Sequence, residues 1–130
     1  MQVSYSAESV LDSTLPRDDL RVLLVYPNTR DVAMANLGFQ QVYSLLNKIE
    51  GVICDRFALP VGWKPETQYL EREELRSMDL QMHPLEFDVI AFSISFEPDY
   101  LNTVLALKYF DIPVDRKERG ASFPMITAGG

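Results

Sequence analysis

The chain has 130 residues, 47% hydrophobic and 24% charged, a composition that fits one globular domain with a single core. Twelve basic against nineteen acidic residues give a net charge of −7, which argues against a general phosphate-backbone binder, so no direct nucleic-acid binding is expected. The lone Cys54 excludes an internal disulfide, and neither an apolar membrane span nor a secretory signal pattern is present, so a cytoplasmic protein without a membrane partner is expected.

Residues 1–20 read as a polar leader. Ala7–Leu11 has the makings of a short helix, and Ser13–Asp19 reads as a linker. Val22, Leu23, Leu24 and Val25 form an unbroken apolar run, which suits a strand covered on both faces, and Pro27-Asn28 is turn chemistry that should end it. Apolar residues at Leu37, Val42, Tyr43, Leu45, Leu46 and Ile49 predict a helix with Asn36 as N-cap and Gly51 as the stop. The intervening Pro27–Asn36 is expected as a long loop. In open α/β sheets ligands bind beyond the carboxyl ends of strands, so this loop is the first place to look for a site.

Val52–Phe57 predicts a second strand near a sheet edge, followed by a loop through Pro60, Gly62 and Pro65. Tyr69, Leu70, Leu75 and Met78, set among charged residues, predict an amphipathic surface helix over Glu66–Met78. Val89–Ile94 is a second strongly apolar strand. A loop, Ser95–Asp99, and a helix from Tyr100 to Tyr109 follow, with Asp99 as N-cap and Leu101, Val104, Leu105 and Leu107 inward. After a charged connection at Asp115–Gly120, Pro124–Thr127 predicts a fourth strand stopping at Ala128-Gly129-Gly130.

Strands alternating with helices imply parallel pairing by right-handed crossovers. The expected fold class is α/β, a flavodoxin-like three-layer domain over residues 21–130 with strand order 2-1-3-4. Such an order brings Pro27–Asn36, Ser95–Asp99 and Ala128–Gly130 to one rim. A domain of this type usually carries a further helix and a fifth strand, so a fragment of a longer protein is expected.

The blocks YPNTRDVAMANLGFQQVYSLLN, DRFALP, FDVIAFSISFEPDYLNTVLAL and IPVDRKERGASFPMITAGG, in this order, resemble the N-terminal region of radical S-adenosylmethionine proteins whose leading domain has the cobalamin-binding-like fold. The resemblance implies an accessory domain before a partial TIM-type barrel, its partner in the same chain. There a CxxxCxxC motif would hold a [4Fe–4S] cluster that cleaves S-adenosylmethionine, the chemistry of an Fe-S oxidoreductase. No such motif occurs in these residues, and one cysteine cannot supply three thiolates, so radical chemistry is expected only downstream. Cobalamin domains that ligate cobalt by histidine carry DxHxxG after the first strand. NTRDVAMANLG has Asp31 but no histidine, so any cobalamin would bind without a histidine ligand and no metal-ligating residue is assigned.

Candidate cofactor-binding residues at the rim are Asn28, Thr29, Asn36, Gly38, Ser93, Ser95, Glu97, Gly129 and Gly130; no catalytic residue is assigned. Each has a plainer reading. Asn28, Thr29, Asn36 and Gly38 can shape a loop and cap a helix, and Gly129-Gly130 can be a turn needing positive φ. Glu97 and Asp99 can act as acid, base or ribose partner, or cap a helix. His83 reads as a surface residue, Cys54 as an inert thiol, Trp63 as a loop anchor or an interdomain contact, and Arg116, Lys117 and Arg119 as solvated charge.

Two functions stand side by side: a domain that covers the barrel or presents a corrinoid to it, and a cofactor-free interaction module. A flavin- or nucleotide-binding domain is weaker, since of a phosphate-cradling Gly, Ser and Thr loop after the first strand only Thr29 is present.

Overall fold

The computed structural model describes residues 19–66 and 70–129. The leader up to residue 18, residues 67–69 of the expected surface helix, and Gly130 lie outside the described residues. Among the described residues, four strands form one parallel sheet in the order β2-β1-β3-β4. They are β1 (Leu20–Thr29), β2 (Val52–Leu59), β3 (Val89–Ser93) and β4 (Met125–Gly129). The expected flavodoxin-like order is therefore present. Helices α1 (Arg30–Ala35) and α2 (Leu37–Asn47) follow β1, and α3 (Pro98–Tyr109) follows β3.

β1 is central because every residue from Val22 to Pro27 is buried, and side chains alternate between two cores. Leu23 and Val25 join Ile53, Phe57, Ile90, Phe92, Leu107 and Phe110 on one face. Val22, Leu24 and Tyr26 join Cys54, Ala33 and Phe39 on the other. An edge-to-face ring pair seals each: Phe57 with Phe110 at 5.0 Å and Tyr26 with Phe39 at 5.2 Å.

Several expectations are corrected. β1 does not end at Pro27. The strand runs on to Thr29 through a register shift between Tyr26 and Thr29, and this irregularity accommodates a residue with no N–H. The Pro27 carbonyl is taken up by Asn102 Nδ2 at 3.0 Å. The expected loop at Pro27–Asn36 is mostly α1, whose Ala33 is fully buried. β2 runs two residues past Phe57, β3 stops one residue short of Ile94, and β4 starts at Met125 and takes in Ala128 and Gly129.

α2 has the expected cap: Asn36 Oδ1 accepts from the Phe39 N–H at 2.9 Å. Its buried contact is Phe39, however, with Tyr43 and Leu46 beside it, whereas Leu37 and Leu45 are 75% and 60% exposed and Val42 and Ile49 are exposed too. Gly51 adopts φ +83° in the turn after the helix, and its carbonyl accepts the Leu20 N–H at 2.7 Å. In α3 the buried residues are Asp99, Asn102, Ala106 and Leu107, and Leu101 faces outward.

The largest departure is Glu66–Met78, where the described residues hold a single 3-10 turn, Arg72–Glu74, instead of an amphipathic helix. A carboxylate distant in sequence competes for the backbone that a helix would need. Asp55, fully buried on β2, accepts the Asp79 N–H at 3.1 Å from each oxygen and the Leu80 N–H at 2.7 Å, while the Met78 N–H goes to the Arg56 carbonyl at 2.8 Å. Burial pushes the Asp55 carboxyl above its ordinary value, and the Ser77 hydroxyl and backbone donors oppose that shift.

Replacing Asp55 with Ala leaves these donors without an acceptor in a closed interior, and a loss of roughly 3 kcal/mol is expected. The check is a lower urea midpoint at an unchanged slope. Asp79→Asn removes only a half-exposed ion pair, Arg56–Asp79 at 3.2 Å, and should cost less than about 1 kcal/mol.

Candidate functional site

Because the strands are parallel, their carboxyl ends share one rim. The crossovers do not cover both sheet faces equally. α1 and α2 lie over β1 and β2, leaving the same face of β3 and β4 open beside them. There a cleft of about 520 Å³ runs between α2 and the two strands. Asn36, Gly38, Phe39 and Val42 form its helical wall, Leu24 and Ala91 lie on the sheet, and Ser93, Ser95, Thr127, Ala128 and Gly129 lie toward the strand ends.

Five candidate residues from the sequence therefore meet in one place: Asn36, Gly38, Ser93, Ser95 and Gly129. Asn36 is held rigidly, capping α2 while its Nδ2 donates to the Tyr26 hydroxyl at 3.3 Å. The β3–α3 loop is held by Asp99, whose Oδ2 accepts from the Ser95 N–H at 3.1 Å and the Phe96 N–H at 3.0 Å. Asp99 thus lies within the first turn of α3 and ties the preceding loop, instead of standing outside the helix as its cap. Gly129 is the last residue of β4, in no positive-φ turn, and a Cβ built there meets nothing within 4 Å.

The other described candidates are not part of the cleft. Asn28 Oδ1 accepts the Thr29 N–H at 2.7 Å, and the Thr29 side chain bonds Asp31, holding that carboxyl below its ordinary value. Both residues thus serve the β1–α1 junction. Glu97 is exposed at the start of α3 and makes no side-chain cap bond. Reading the sequence missed Leu24, Phe39, Val42, Ala91, Phe92, Thr127 and Ala128. Their apolar or small side chains look like core, and only the missing cover over β3 and β4 makes them a lining.

No charged side chain lines the cleft. Asn36, Ser93, Ser95 and Thr127 can exchange hydrogen bonds within a mainly apolar surface, which suits a neutral, flat group better than a phosphate. His83 is a turn cap: its Nδ1 accepts the Leu85 N–H at 3.1 Å, ahead of the amino end of β3 and so at the opposite rim. Cys54 is buried on β2, and burial followed by the Asp55 charge pushes its thiol up to about 12. Trp63 packs against the core, as a loop anchor does. No group of three or more His, Cys, Asp or Glu suited to a metal ion occurs among the described residues, and no helix there is long and apolar enough to cross a membrane.

A parallel α/β domain with its cleft at the carboxyl rim defines the class. Residues 38–130, well over half of the chain, match the family described as radical SAM proteins, N-terminal, and the chain belongs to that family. No curated protein and no solved structure matches it.

The thiol assignment carries a prediction. A folded value near 12 against about 9 unfolded means that the folded state holds this proton more tightly. The resulting stability is fully present below pH 9 and is lost as pH rises through 12. Cys54 should therefore resist a disulfide reagent at pH 8 while folded and react at once in urea, as absorbance of the released thiolate reports.

Proposed function

We propose that this domain is the accessory, N-terminal part of a radical S-adenosylmethionine protein and that it holds a corrinoid for the neighbouring radical SAM region. The observation that supports this is the uncharged cleft at the carboxyl rim, whose volume of about 520 Å³ falls within the range of small-molecule and cofactor sites. The flat base of the nucleotide tail would enter between α2 and β3–β4, against Ala91 and Thr127, within reach of Asn36, Ser93 and Ser95. The corrin ring would stay outside, over the rim. With His83 employed as a cap at the opposite rim, the cobalt would receive no imidazole from the described residues. When bound, the corrinoid would supply its own cobalt chemistry. S-adenosylmethionine and the [4Fe–4S] cluster would belong to the radical SAM region.

A second reading, a cofactor-free interdomain module, is favoured by one observation. Leu37, Phe96, Tyr100 and Leu101 are all exposed on the α2 and α3 segments near the rim, apolar surface that a partner would cover.

Hydroxocobalamin mixed with the protein should shift in absorbance and co-elute on gel filtration at one per chain, whereas cobinamide, which lacks the nucleotide tail, should not be retained. Thr127→Trp, which fills the cleft from an exposed position, should abolish retention without lowering the urea midpoint. If the natural-sequence protein retains neither corrinoid, the proposal fails and the interdomain reading takes its place.

A further inference from the structure

The two edges of the sheet differ in how their backbone is occupied. Along β2 the outward groups are spent. Asn47 accepts the Cys54 N–H at 2.9 Å and donates to its carbonyl at 3.0 Å, Asp55 Oδ1 takes the Arg56 N–H at 2.8 Å, and the Met78 N–H takes the Arg56 carbonyl at 2.8 Å. Along β4 the pairing to β3 is regular from Met125 to Gly129. The Met125 N–H bonds the Asp88 carbonyl and the Gly129 carbonyl accepts the Ile94 N–H. Met125, Thr127 and Gly129 therefore spend their backbone groups on β3, and the period of two turns those of Ile126 and Ala128 away from the sheet. The strand reads MITAG, with no proline, no charge and no bulge, the devices that usually blunt an edge.

Beside this edge lies a groove of about 480 Å³ lined by Arg116, Arg119, Phe123 and Pro124 together with β4 residues. Arg119 Nη1 is committed to the Pro113 and Val114 carbonyls at 2.8 and 3.0 Å, and the Asp115 carboxylate to the Lys117 N–H at 2.9 Å. Arg116 is exposed and forms no ion pair, since Arg56–Asp79 is the one ion pair among the described residues.

We infer that the β4 edge accepts an extended acidic segment of the radical SAM region as a fifth strand. The N–H and C=O groups of Ile126 and Ala128 pair with it, an acidic side chain of the segment meets Arg116, and an apolar one covers Phe123 and Ile126. Outward groups at strand spacing call for a strand and not a helix. A second copy is disfavoured, because it would bring another chain of net charge −7 and a second Arg116 to the same line. This inference rests on the accessory-domain reading and not on the corrinoid.

The probe is a synthetic peptide alternating valine and glutamate, titrated into the 130-residue chain and followed by hydrogen-exchange NMR. The Ile126 and Ala128 amides should shift and gain protection, while those of Met125 and Thr127 change little. Lysine in place of glutamate should abolish binding, the reverse of what the net charge of the whole chain would give. Arg116→Gln should weaken binding several-fold, and Ala128→Pro, which removes an outward N–H and spares the β3 ladder, should eliminate it. Protection of the same amides without peptide, rising with protein concentration, would assign the edge to a second copy. No protection by the glutamate peptide would remove the strand-acceptor reading, and either result overturns the inference. No corrinoid enters this readout, so its failure is separable from failure of the cofactor proposal.

Discussion

Parallel pairing of β1 with β2 on one side and β3 on the other is the constraint from which the rest of the molecule follows. A parallel pair cannot be closed by a tight hairpin, so each connection must cross a face of the sheet and cover it. The crossover after β1 carries α2 over β1 and β2, and the one after β3 carries α3 over the opposite face. All strand ends then point the same way, and the cleft arises at that rim where cover runs out.

The central strands were legible because their burial needs no partner-specific information. Val22–Val25 and Val89–Ile94 are apolar runs too dense for a half-solvated strand, and both lie within the middle of the sheet. The segment before β3 was not legible in the same way. Its apolar spacing fits a helix, yet Asp55, twenty-four residues before Asp79, removes the amides that such a helix would use. Nothing local in the sequence announces that competition. α2 shows a milder version: its cap at Asn36 is local and was readable, whereas Val42, Leu45 and Ile49 have the right period and face away from the sheet that Phe39 meets.

The site divides along the same line. Asn36, Ser93, Ser95 and Gly129 stand where a strand ends or a helix begins, positions that topology alone brings to the rim. Asn28 and Thr29 have comparable chemistry but are consumed by the junction into α1, which was not foreseen as a helix. Thr127 and Ala91 show the converse, since the face of β3 and β4 left bare beside α2 turns ordinary strand residues into a lining. Family membership agrees with an accessory role, and the buried, firmly protonated thiol of Cys54 is unlike a cluster ligand.

The two walls of the cleft are mounted with unequal stiffness. α2 is riveted to β2 through Asn47 on the Cys54 backbone, through Gln40 accepting from Arg56 at 2.8 Å, and through the Tyr43 ring 4.0 Å beneath the same guanidinium. β4 hangs from β3 by a single ladder. A guest too bulky for the opening would therefore displace the strand and leave the helix where it stands, so the outermost strand works as the jaw and α2 as the anvil.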